Sequence, residues 1–163
     1  GDNQVYLYDH FGSSEVDTII QRIRYMVAAL DVKWIILDHV SIMISGLAVA
    51  DERKAIDIAC TALRTLVSEL NIGLIMVSHL RRPEGDKGHE EGSKVRLSQI
   101  RGSHSPVQLS DIVIGLQVDP DDPDGAYRYL HVLKNRFTGE TGVAGKVKYN
   151  LETGRLLEAS DTF

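Results

Sequence analysis

Apolar residues fall into two alternating patterns along this chain, stripes spaced three and four apart and short unbroken runs. From 15 to 30, Val16, Ile19, Ile20, Ile23, Val27 and Leu30 recur at helical spacing, which predicts an amphipathic helix with one face toward a core. WIILD at 34–38 is unbroken and predicts a buried strand. After Ser45 and Gly46, Asp51 is placed to cap a long helix whose apolar face holds Ala55, Ile58, Ala62, Leu66 and Leu70. Asn71 and Gly73 interrupt that period, and GLIMVSH at 73–79 is a second continuous run. YLYD at 6–9 adds a short strand ahead of the first helix.

The stretch 81–99 has no period and is rich in Gly and charge, which reads as a long mobile loop. Beyond it, IVIGLQV at 112–118 is a strand and DPDDPDG at 119–125 an acidic turn. YRYLHVLKN at 127–135 and VAGKVKYN at 143–150 form antiparallel partners joined by RFTGETG. Solid apolar strands between helices imply an α/β fold, a mostly parallel sheet covered on both faces, with the last pair as an antiparallel extension. In such sheets functional residues sit just past the carboxyl ends of the strands. Asp38, His79 and the segment around Arg101 hold such positions.

Composition narrows the class. With 163 residues, 43% apolar and 25% charged, the chain suits one globular domain. No apolar run approaches the roughly 18 to 20 residues of a membrane span, and the N-terminus lacks the basic and apolar regions of a signal peptide, so an intracellular protein without a membrane partner is expected. The single cysteine, Cys60, falls inside the second helix and reads as a core thiol, which excludes an intrachain disulfide framework. A net charge of -5 argues against a protein that coats polyanions over its whole surface, and leaves room for a local basic loop. The chain opens on Gly rather than Met and reads as a fragment or processed product.

Each candidate residue admits a plain reading and a chemical one. Asp38, ending its strand, either forms a turn or orients a magnesium ion through water against nucleotide phosphates. His79 is either a hydrogen-bonded structural residue or a polar group that registers a terminal phosphate. The loop after it carries Arg81, Arg82, Lys87, His89, Lys94 and Arg96 beside Glu84, Asp86, Glu90 and Glu91. It is a solvated mixed-charge surface or a reader of nucleic-acid backbone. IRGSHSPVQLSD at 100–111 is a capped turn with Pro106 starting a helix, or a link in which Arg101 and Gln108 join the nucleotide side to the DNA side. In KNRFTGETG at 134–142, Arg136 is a solvated hairpin residue or a guanidinium presented to a phosphoryl group on a neighbouring subunit.

Taken in order, ILDHVSIM, SHLRRP, the HEEG at 89–92, RGSHSPVQLSD and KNRFTGETGVAGKVKYNLETG resemble the ATPase domain of ring-shaped replicative helicases of the DnaB group. The nearest branch is that of the phage primase-helicases and Twinkle, and the resemblance covers most of 5–155. It implies a RecA-like P-loop NTPase core and an ATP-hydrolysing helicase that travels 5'-to-3' on single-stranded DNA and unwinds duplex. Asp38 then matches the Walker B aspartate, and His79 the γ-phosphate sensor. Arg81, Arg82, Lys87 and His89 fall on the DNA-tracking channel loop. Arg101, Gly102, Ser103 and Gln108 fall on the motif linking DNA to nucleotide, with Arg101 on the DNA side and Gln108 on the nucleotide side. Arg136 matches the finger acting in trans, with Lys134 nearby, and Tyr149 the aromatic stacked on the base. The resemblance implies Mg2+ and ATP or another nucleoside triphosphate as cofactors of the whole protein. Its implied partners are single-stranded DNA and the other subunits of a homo-hexameric ring, with a primase and a polymerase further out. Its implied compartment is the cytoplasm of a bacterium or phage-infected cell, ahead of a mitochondrial matrix.

One part of that pattern is missing. No G-x-x-x-x-G-K-[ST] occurs in the sequence, so the phosphate cradle and the family's catalytic Glu are expected upstream. By itself the chain is expected neither to hold nucleotide tightly nor to turn it over. In that fold the strand before the cradle lies mid-sheet, so two strands here should flank an unfilled gap. A RecA-like recombinase or repair ATPase, and a non-catalytic RecA-like module for assembly or single-strand binding, are the alternatives.

Overall fold

The computed structural model describes residues 4–8, 16–44, 49–81, 88–89, 93–100, 104–122 and 124–159, and the chain divides into two compact units, 1–78 and 79–163. In the first, helices α1 (Val16–Leu30) and α2 (Val49–Leu70) each stop at a residue in the left-handed region, Asp31 at φ 53° and Asn71 at φ 51°. Asp and Asn accept that region more readily than most side chains. Past Asn71 the Ile72 amide donates back to the Val67 carbonyl at 3.3 Å, closing the last turn and releasing the chain straight into a strand. Strands β1 (Trp34–Leu37) and β2 (Gly73–Met76) pair in parallel, Trp34 beside Gly73 and Leu37 beside Met76. A 3-10 turn at Val40–Ile44 buries Val40, Met43 and Ile44. The core they enter is made by Ile19 and Ile23 of α1, Ile35 of β1, and Ile56, Ala59, Cys60, Leu63 and Leu66 of α2.

Several expectations for this unit are corrected. The α2 face is rotated from the one read in the sequence, since Ile58 is 55% exposed and only Leu66 is common to the expected and observed fully buried sets. A helix with Ile, Ala, Leu and Cys on both sides offers two stripes of the same period, and periodicity alone does not choose between them. Asp51 lies inside α2, which begins at Val49, and so does not cap it. YLYD forms no strand within the described residues 4–8; Leu7 is 92% exposed, and an extended segment without a hydrogen-bonded neighbour has nothing to hold it as a strand. Its recorded attachment is the Arg22 guanidinium 4.8 Å above the Tyr8 ring. The parallel pair is buried on one face only: Ile35 is covered while Ile36 is 69% exposed beside an exposed Ile75. Cys60 is core as expected. Burial, aided by the Asp57 carboxylate, pushes its thiol up to about 11, which leaves it inert.

The second unit is an antiparallel meander, β3 (Ile112–Val118), β4 (Tyr127–Asn135), β5 (Gly142–Asn150) and β6 (Arg155–Glu158), preceded by the short helix α3 (Ser105–Leu109). β3 and β4 occupy the expected ranges, and β5 starts one residue early. β6 was not foreseen because RLLE is too short to show alternation. Among the described residues the parallel pair and the meander share no ladder. The acidic turn is self-satisfied: Asp122 accepts the Tyr127 amide at 2.7 Å and the Asp124 amide at 3.2 Å. At its start Asp119 is 4% exposed and pairs with Lys146 Nζ at 2.9 Å. That ammonium also stands 4.6 Å from the Tyr127 ring centre and 5.4 Å from that of Tyr129.

Candidate nucleotide and nucleic-acid site

In the first unit the strand ends set up one position. β1 stops at Leu37, whose carbonyl accepts the Val77 amide at 2.9 Å; the chain then turns, and the Val40 amide donates to the Val77 carbonyl at 3.1 Å. These two bonds stitch the carboxyl ends of β1 and β2 together and leave Asp38 exposed between them in sequence, on a turn that the buried 3-10 segment holds from below. A carboxylate so placed can meet a hydrated cation or a polar ligand at the strand end.

The second unit begins at His79, which is exposed and three residues past the end of β2. There the loop expected at 81–99 is closed at its base. Leu80 bridges Ile100 in antiparallel fashion, and the Arg81 amide donates to the Gln99 carbonyl at 2.6 Å. His89 Nε2 donates to the Arg81 carbonyl at 3.0 Å, so this ring ties the loop to its own stem. Farther along, the Val95 amide donates to Oε1 of the buried Gln117 at 3.3 Å. Gly115 leaves the room that Val95 fills, since a Cβ there would meet Val95 Cγ1 at 2.9 Å. Both limbs of the loop are thus moored, and Arg81 is exposed on the stem. Arg82, Lys87 and Arg101, together with Gly102 and Ser103, lie outside the described residues.

The third cluster joins α3, the start of β3 and the end of β4. Lys134 Nζ donates to the carbonyls of Val107 at 2.7 Å, Gln108 at 3.1 Å and Ser110 at 2.7 Å. The Arg136 amide donates to the Asp111 carbonyl at 2.8 Å, and its guanidinium lies 3.4 Å from Asp111 Oδ1 with 60% of the side chain exposed. Asn135 builds the hairpin beyond: its Oδ1 accepts the amides of Phe137 and Thr138 at 3.1 and 3.3 Å, and Gly139 takes the left-handed φ of 75° that the turn requires. Arg136 therefore has a fixed main chain and an accessible, charged tip. Tyr149 lies on β5 opposite Leu156, partly exposed, with its amide donating to the Ala126 carbonyl at 2.9 Å.

Of the expected site residues, the structure brings together Arg81 with His89, and Gln108 with Lys134 beside Arg136. Asp38 belongs to the N-terminal unit, the rest to the C-terminal one. Asp111 and Gln117 carry structural work that their motifs did not reveal. A signal for Asp111 existed, because Ile112 faces Asn135 in the register, which sets the preceding Asp opposite the following Arg.

The DnaB-like helicase C-terminal domain model matches residues 2–156. The DNA helicase/primase of Enterobacteria phage T3 is 40% identical over 162 residues, 99% of this chain and 29% of that protein, so the chain spans under a third of that relative's length. Two solved structures share the fold at 18% identity. One, an isolated ATPase domain, gives a TM-score of 0.69 over 91% of this chain and 52% of that one. The other, a DnaB-like replicative helicase described with its interactions with primase, gives 0.72 over 94% and 36%. These neighbours make the fold RecA-like as expected, and a family model spanning nearly the whole chain, with a phage relative 40% identical along it, places the chain in the DnaB-like helicase C-terminal domain family.

Proposed function

We propose that this chain serves as the C-terminal part of the motor domain of a ring-shaped replicative DNA helicase, which couples nucleoside triphosphate hydrolysis to 5'-to-3' travel on single-stranded DNA. The observation that carries this reading is the presentation of Arg136, held by Asp111 through the main chain and exposed at the tip. A guanidinium so held can meet phosphate on a neighbouring subunit without first being ordered. The phage relative's description as a helicase/primase supports the same assignment and makes a primase a natural partner.

Within this reading His79 registers the terminal phosphate, Tyr149 stacks on the base, and Gln108 relays between nucleotide and DNA. Arg81, with Arg82, Lys87 and Arg101, contacts DNA phosphates, while His89 holds the loop stem. Magnesium suits Asp38 only as an outer contact through water. Among the described residues no group of three His, Cys, Asp or Glu could hold a metal, and one exposed carboxylate does not complete a coordination shell. Bound beside the phosphates, the ion would offset their charge; the residues of this chain orient it and do not enclose it.

In the complete helicase, a duplex with a 5' single-stranded tail is expected to be unwound and one with only a 3' tail left intact. Unwinding confined to 3' tails removes the directional reading, and strand exchange without unwinding favours a recombinase. The loop is tested by Arg81→Ala. Affinity for single-stranded DNA is expected to fall, and the slope of log affinity against log salt to shrink by about 0.7, the value for one phosphate contact on a single strand. An unchanged slope takes Arg81 off the DNA.

A further inference from the structure

Lys134 is the residue whose geometry departs most from its expected part in a nucleotide site. An ammonium has three donors and no more. In Lys134 all three find carbonyls, those of Val107, Gln108 and Ser110 at 2.7, 3.1 and 2.7 Å. The first two belong to α3, whose last carbonyls have no partner inside so short a helix. The partners lie 24 to 27 residues away in sequence, so the contact is tertiary. A bulge prepares it. On β4 Val132 faces Ile114 and Lys134 faces Val113, which leaves Leu133 as an extra residue and turns Lys134 to the face opposite that of Leu130 and Val132. Two residues later the Arg136 amide takes the next carbonyl, that of Asp111, at 2.8 Å. The backbone at 110–111 is therefore fastened to 134–136 at two successive carbonyls.

We propose that Lys134 is a positioning residue that ties the end of α3 to β4, fixes where Arg136 is presented, and does not itself touch the nucleotide. The proposal rests on the reading of Arg136 as the group offered to a neighbour's phosphate. To reach a phosphate, Lys134 would give up three charge-assisted bonds and leave three carbonyls unpaired, whereas Arg136 has an exposed tip and gives up a single long contact with Asp111. The tie also gives the segment carrying Gln108 a direct mechanical link to the hairpin. A change at one is felt at the other through one side chain.

The test uses Lys134→Met and Lys134→Arg in the complete helicase, read by amide exchange in the peptides 104–111 and 134–141 and by nucleotide hydrolysis with single-stranded DNA. For Lys134→Met, exchange in both peptides is expected to quicken about tenfold and kcat to fall about tenfold, with KM for the nucleotide held within about twofold. Lys134→Arg is expected to resemble it despite its charge, because a planar guanidinium cannot aim at three carbonyls grouped around one nitrogen. Unchanged exchange in 104–111, a rise in KM accompanying the loss of rate, recovery of the rate by Lys134→Arg, or full activity of Lys134→Met would each overturn the proposal. An Arg136→Ala variant that keeps the wild-type rate sinks the finger reading instead, and the tie then stands or falls on the exchange comparison.

Discussion

Replacing Arg136 by alanine in the complete helicase is expected to lower the DNA-stimulated rate of nucleotide hydrolysis by roughly 10³-fold or more, the range seen when a guanidinium leaves a phosphoryl-transfer site. Nucleotide affinity should change little, because the charge it meets grows in the transition state. A 10³-fold loss corresponds to about 4 kcal/mol of barrier. The exposed 3.4 Å contact with Asp111 is worth only about 0 to 1 kcal/mol of stability, so unfolding cannot account for such a loss. Arg136→Lys should recover little, since a point charge lacks the planar fork. Steady-state hydrolysis and equilibrium binding of a nucleotide analogue, measured on the same preparations, check both halves; a variant within a few-fold of wild type ends the assignment.

The second large effect lies away from the chemistry. Asp119→Ala strands the Lys146 ammonium, which is 15% exposed, without its carboxylate. Removing one member of a buried pair costs about 3 to 5 kcal/mol. Tyr127 and Tyr129 continue to face the ammonium, which favours the lower end. Urea unfolding followed by exchange of the β4 and β5 amides measures the loss, and Asp119→Leu with Lys146→Met should recover most of it. The effect carries a pH signature. The hydrogen bond from Lys146, foremost, then that from the Asp121 amide hold the Asp119 carboxyl below the usual carboxylate range, against the opposing effect of burial. A lowered folded pKa means stability that is complete above the unfolded value of about 3.9 and lost as pH falls through the folded one. The gap between wild type and Asp119→Ala should therefore narrow below about pH 4, and a gap independent of pH there would detach it from this carboxyl.

The meander was legible because its strands alternate and its turns announce themselves; IVIGLQV and YRYLHVLKN fall where β3 and β4 do. The α2 face was not, because Ile58 and Ile56 are equally apolar in sequence and only packing against Ile19 and Ile23 selects one. At the site, position was legible and partnership was not. Lys134 and Arg136 stand two apart with similar charge, and composition gives no hint that one would be spent on three carbonyls while the other stays exposed. That division depends on a bulge at Leu133, and an extra residue in a strand leaves no mark in an apolar run. Gln117 is a similar case, a polar residue inside an apolar run whose buried oxygen holds the Val95 amide.

Trp34, the chain's one tryptophan, lies across Gly73 of the neighbouring strand, where an added Cβ would meet its ring carbons at 2.2 to 2.6 Å. The residue is nevertheless 67% exposed, on the same open face as Ile36 and Ile75. The parallel pair thus carries its own optical reporter: indole emission from this chain arises at a single place, and its wavelength follows how wet that face of the sheet is.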